Sequence, residues 1–156
     1  MEPKEVFMRS AFNIARDGVD MGESPFGACI VKDNKIVSCA HNTVLSTNDP
    51  TAHAEINTIR EASRILKRWN LSDCVIYSTT EPCPMCLSAI HWARIPIVVF
   101  STSIEDVASL GFNEIHIHNE EMVKIGRMNI KIVGGFMREE GIKLLHYWRS
   151  KSGKTY

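Results

Sequence analysis

The chain has no excess charge of either sign: 18 lysines and arginines balance 18 aspartates and glutamates. A neutral chain has no general electrostatic pull toward nucleic-acid phosphates or an anionic membrane, although a local basic patch stays open. No apolar run approaches the roughly 20 residues that a membrane-spanning helix needs. The first residues, Met1-Glu2-Pro3-Lys4-Glu5, are charged and lack the apolar core of a signal peptide. A cytoplasmic protein is therefore expected. Internal repeats, low-complexity tracts and long linkers are also missing, so one domain over 1–156 is expected. Cysteine is limited to Cys29, Cys39, Cys74, Cys83 and Cys86. An odd count with one closely spaced pair argues against a secreted disulfide framework and toward metal or redox chemistry.

Apolar spacing divides the chain into elements. Phe7, Ala11 and Ile14 recur at helical spacing, which predicts an amphipathic helix over 4–17 that ends near Gly18. Two short apolar runs, 28–31 and 36–40, flank Lys32-Asp33-Asn34-Lys35 and predict a hairpin. The polar stretch 41–51 is expected to be a loop leading into a helix over 52–66. Further strands are predicted at 75–78, 97–100 and 130–133. Helices are predicted over 84–93, near 104–109, near 119–125 and over 136–149. Strands alternating with helices after a hairpin imply an α/β fold, a three-layer α/β/α sandwich around a mixed five-stranded sheet.

Two motifs carry chemistry. His53-Ala54-Glu55 opens one predicted helix, and Pro82-Cys83-Pro84-Met85-Cys86 bridges a strand end and a helix start. Zinc takes imidazole nitrogen and thiolate sulfur in tetrahedral geometry. A Cys-x-x-Cys pair at a helix start puts both sulfurs on one side of the first turn, where unpaired N–H groups and the helix dipole favour thiolate. With His53 as third ligand one tetrahedral position stays open, as in catalytic zinc sites. Glu55, two residues on, sits close enough to move protons without binding the metal. Alone, the Cys-x-x-Cys also fits half a zinc ribbon or a redox pair, and the His-x-Glu fits a solvated helix start. A purely structural zinc site needs a fourth ligand, for which Cys74, His41 and His91 are the candidates. His116 and His118 alternate with Ile115 and Ile117, which predicts the polar face of an edge strand more readily than a second metal site.

These residues resemble the cytidine deaminase-like superfamily. Pro25-Phe26-Gly27-Ala28, Asn42, the run from Asn48-Asp49-Pro50 through His53-Ala54-Glu55, and Glu81-Pro82-Cys83-Pro84-Met85-Cys86 follow one another in order. They resemble the branch that holds guanine deaminases and tRNA adenosine deaminases. The resemblance implies hydrolytic deamination of a purine base, guanine to xanthine plus ammonia, at a zinc ion (Zn2+) held by His53, Cys83 and Cys86. Glu55 would shuttle protons, with help from Glu114 in Gly111-Phe112-Asn113-Glu114. Phe26, Asn42, Ala54, Trp92, Glu114 and Tyr156 would bind the base. It also implies a homodimer, with the C-terminal segment ending in Tyr156 exchanged between subunits. The alternatives are a tRNA adenosine deaminase, for which Lys67-Arg68 is the one local basic hint, or a deaminase of guanosine, cytosine or an aminotriazine. A zinc-stabilised interaction module without turnover is the non-enzymatic reading.

Overall fold

The computed structural model describes residues 2–156, so Met1 of the expected domain lies outside the described residues. Helix α1 spans Glu5–Asp20 and is followed by strands β1 (Gly27–Lys32) and β2 (Lys35–His41). Asp33 and Asn34 both take positive φ, 49° and 57°, as the tight turn of a two-residue hairpin requires. Their short polar side chains tolerate that conformation. Then come α2 (Val44–Thr47), α3 (Ala54–Leu66), β3 (Cys74–Thr80), α4 (Pro84–Trp92), β4 (Ile97–Thr102), α5 (Ile104–Ala108), α6 (Asn119–Gly126), β5 (Lys131–Val133) and α7 (Arg138–Ser150).

The sheet order is β2-β1-β3-β4-β5. β1 runs antiparallel to β2 and β3, while β3, β4 and β5 are parallel. The predicted mixed five-stranded sheet is thus present. Successive strand residues point to opposite faces, and the core divides accordingly. Ala28, Ile30, Ile76, Val98 and Phe100 meet Ala54, Ala62, Leu87 and Ile90 of α3 and α4. Cys29, Val31, Val75, Tyr77 and Val99 meet Phe7, Met8 and Ala11 of α1 on the other side. Both faces are covered, which accounts for strands that are apolar at nearly every position.

Four local expectations are corrected. The stretch expected as loop 41–51 contains the single-turn α2, whose Leu45 and Ser46 N–H groups are capped by the buried Glu23 carboxylate at 3.3 and 3.0 Å. α1 continues past Gly18 to Asp20. Residues 115–118 form no strand, and His118 instead occupies the N-cap of α6. Cys29 and Cys39 face each other in the β1–β2 register, with Cα atoms 4.1 Å apart, and are joined by a disulfide, where the cysteine count had pointed away from disulfides. No helix among the described residues is long and apolar enough to cross a membrane.

Candidate metal centre and active site

The site lies where β3 ends and two helices begin. His53 is the N-cap of α3 and Cys83 the N-cap of α4, and neither side chain is used for capping. Both side chains are therefore free to point across the gap between the helix starts. Pro84 sits at the first position of α4, where its missing N–H leaves no helical bond unmade. His53 Nδ1 lies 3.6 Å from Cys83 Sγ and 3.5 Å from Cys86 Sγ. Zinc bonds of about 2.0–2.1 Å to nitrogen and about 2.3 Å to sulfur, at tetrahedral angles, put nitrogen and sulfur about 3.6 Å apart. The donor set fits the ion in chemistry and in spacing. Cys74, His41 and His91 do not join this cluster.

The electrostatics suit a cation. The hydrogen bond from Cys86 and the nearby His53 bring the Cys83 thiol down to about 4. Cys86, which keeps the proton the pair shares, is raised. Burial opposes protonation of His53, but Cys83 and Glu55 outweigh it and raise its pKa. Glu55 is buried, and that burial pushes its pKa up, with the Cys83 charge adding to the effect. Its Oε1 accepts a hydrogen bond from Ser78 Oγ at 3.1 Å, and its Oε2 lies 3.5 Å from Cys86 Sγ. One carboxylate oxygen is thus anchored on β3 while the other faces the metal centre.

Phe26, Asn42, Glu114 and Tyr156 line the same pocket as His53, Glu55 and Cys83, together with Thr80 and Glu81. These residues surround about 310 Å³ of space, part of it open to solvent. Phe26 packs edge-on against Phe112, with ring centroids 5.1 Å apart. Asn42 is buried: its Oδ1 accepts from Val44 N–H at 3.0 Å and its Nδ2 donates to Tyr156 Oη at 2.7 Å. The Tyr156 ring sits 5.8 Å from His53 and 5.7 Å from Phe112, so the last residue of the chain covers its own pocket. Burial raises the Glu114 carboxyl to about 7, and the charges of Cys83 and Glu55 act in the same direction.

Two expected base-binding residues fall elsewhere. Trp92 is 76% exposed and packs edge-on against His91, with ring centroids 5.7 Å apart, rather than lining the pocket. The reason is helix length: Trp92 lies eight residues beyond Pro84, about 12 Å along the axis from the helix start at the metal centre. Ala54 is buried among core residues, and its side chain is not part of the pocket lining. The sequence marked Glu81 only as part of the cysteine motif, with no role of its own, and did not mark Asn57. Asn57 Nδ2 lies 3.0 Å from the His41 carbonyl and 3.0 Å from Thr43 Oγ1, which ties the loop bearing Asn42 to α3. Its signal was only a polar residue on the site side of α3.

Residues 1–102 match the cytidine and deoxycytidylate deaminase zinc-binding region. The chain belongs to this zinc-binding deaminase family. Deaminases of this family are hydrolytic and zinc-dependent, which agrees with the donor set found here. A guanine deaminase of Bacillus subtilis (strain 168) is 45% identical over 117 residues, which are 74% of this chain and 75% of the relative. A tRNA-specific adenosine deaminase of Buchnera aphidicola (subsp. Schizaphis graminum) is 35% identical over 146 residues, 93% of both chains. The solved structure of a guanine deaminase from Nitrosomonas europaea superposes with a TM-score of 0.86 over 96% of this chain and 86% of that one. At 23% identity that likeness shows the shared fold alone.

Proposed function

We propose that the chain deaminates guanine, giving xanthine and ammonia from guanine and water. The observation that carries this reading is Glu55: buried, anchored by Ser78, beside the ligand cluster but not in it, and facing a pocket lined by base-sized contacts. His53, Cys83 and Cys86 would hold a zinc ion, which would supply a water acidified from a pKa of 15.7 toward about 7. Glu55 would accept one proton of that water and deliver it to the ring nitrogen next to the attacked carbon; once the new C–O bond has formed it would take the remaining hydroxyl proton and pass it to the amine, so that the C–N bond breaks and ammonia leaves. The ring of Phe26 flanks the base, and Asn42 and Glu114 meet its polar edge. Glu114, with its pKa near 7, is able to donate to or accept from ring nitrogens close to neutral pH. Tyr156 covers the mouth and limits access of bulk water.

The 45% identical Bacillus guanine deaminase supports the same substrate. The second reading, a tRNA adenosine deaminase acting on a flipped base, is favoured by the Buchnera relative that aligns over 93% of the chain. The zinc-loaded protein, assayed for ammonia release from guanine, guanosine, adenine, cytosine, cytidine and an aminotriazine, separates these. Preference for guanine is expected. Silence across the panel, together with salt-sensitive tRNA binding, would replace this reading with the second.

Self-association as a homodimer belongs to the same proposal. Ile65, Trp69, Trp92 and Ile125 are exposed on the α3–α4–α6 layer and support a partner there. An exchanged C-terminal segment belongs to the same proposal: it would bring Tyr156 to a partner subunit's pocket in the place that it takes beside Asn42 within one chain.

A further inference from the structure

Glu81 ends the β3 side of the site, two residues before Cys83, and its carboxylate is buried. Its Oε2 accepts from Ile104 N–H, the first residue of α5, at 3.3 Å. Its Oε1 accepts from Asn119 N–H, the first residue of α6, at 2.8 Å. His118 Nδ1 lies 3.2 Å from Oε2, and His118 Nε2 lies 2.8 Å from Glu105 Oε1. Asn119 Nδ2 also donates to the Pro82 carbonyl at 2.7 Å. One carboxylate therefore ties together the starts of both helices that bracket the irregular stretch 109–118. That stretch carries Phe112 and Glu114 to the pocket. Its own backbone bonds from Phe112 onward are short-range, Glu114 N–H to Phe112 C=O and Ile117 N–H to Ile115 C=O, both 2.9 Å. Such turns shape the segment but do not attach it to the sheet, so the place of Glu114 is set by the buried Phe112 ring on one side of it and by the contacts of Glu81 with His118 and Asn119 on the other.

We propose that Glu81 and His118, with Glu105 outside them, form a latch that positions Glu114 over the pocket for base binding. Glu81 and His118 are positioning residues: they act through the segment and not on the reacting atoms. The inference rests on the reading of Glu114 as a base-contacting residue. It assigns a role to a carboxylate that borders the zinc ligands without ligating, and to a histidine that sits outside the pocket.

A double-mutant cycle tests it, with steady-state kinetics and zinc content measured for wild type, His118→Ala, Glu114→Gln and the double variant. His118 is half-exposed, so His118→Ala is expected to fold, and His118→Gln, which keeps a side-chain donor, serves as a second variant. The expected result for His118→Ala is a KM raised about 3- to 10-fold, with kcat and zinc content nearly unchanged. In the Glu114→Gln background the same substitution should change KM by less than about 1.5-fold, because the group it positions is already gone. His118→Gln should fall between wild type and His118→Ala. An equal loss in both backgrounds, no effect of His118→Ala, or loss of zinc would overturn the latch. Wild-type kinetics for Glu114→Gln would overturn the Glu114 role and the latch with it. The cycle is run on whichever base wild type deaminates, so failure on guanine is read in the wild type alone and is distinct from failure of the latch.

Discussion

Cys83 and Glu55 carry opposite burdens at the same centre. The thiol of Cys83 is brought down to about 4 by its neighbours, so a thiolate is ready for a divalent cation at neutral pH. Cys83→Ala removes one of three ligands, and the expected result is less than one zinc per chain after dialysis, with turnover lost in proportion. A full complement of zinc in that variant, measured by metal analysis, would move the centre elsewhere. His118 makes a separate, titratable contribution. Its hydrogen bond with Glu81, and then the charges of Glu81 and Glu105, raise its pKa above the ordinary value near 6.5. The bond therefore adds stability below about pH 6.5, and that stability is lost as pH rises through the raised value. Denaturant unfolding of wild type and His118→Ala should differ more at about pH 5.5 than at about pH 8.5. Equal differences at both pH values would show that His118 does not hold its charge against Glu81.

At the level of elements, close approach decides what is tolerated. Gly27 starts β1 just after the pocket residue Phe26, and its N–H donates to Thr79 Oγ1 at 3.1 Å. A Cβ there would collide with the Ala11 carbonyl of α1 and with Ala15. Gly27→Ala is thus expected to lower stability by about 1–3 kcal/mol, read as a lower Tm, because backbone cannot rotate away as a side chain can. An unchanged Tm would mean that α1 shifts freely on the sheet. What was legible at this scale followed from local pattern. The nearly unbroken apolar runs in 28–31 and 75–78 mark strands buried on both faces, and the hairpin turn announces itself in Asp33-Asn34. What was not legible depends on partners far away in sequence. α2 forms where Glu23 caps it from about twenty residues upstream, and His118 leaves a strand-like pattern because Glu81 draws it in from thirty-seven residues away.

Across the whole molecule, the two motifs meet because α3 and α4 both start at the same end of the sheet. The His53-x-Glu55 and Cys83-x-x-Cys86 spacing made the metal centre readable, since ligand chemistry restricts which residues serve. Pocket walls are less restricted, and so Trp92, expected there, lies outside the pocket of its own chain, Glu81 was read only as part of the cysteine motif, and Asn57 was not singled out. The tail is the other feature of this scale. Residues 151–156 are exposed, apart from the Tyr156 contacts with Asn42, His53 and Phe112. Removing 153–156 should leave Tm almost unchanged and raise KM for guanine about 10-fold, since an aromatic contact and a lid are lost together. Unchanged KM on truncation would take Tyr156 out of the site.

The most direct measurement compares guanine deamination by wild type and Glu55→Ala at matched zinc content. The expected result is one zinc per chain in both, with turnover in the variant lower by 10²-fold or more. Turnover that survives the substitution at full zinc occupancy would contradict the role given to Glu55, and with it the hydrolytic mechanism built around that carboxylate.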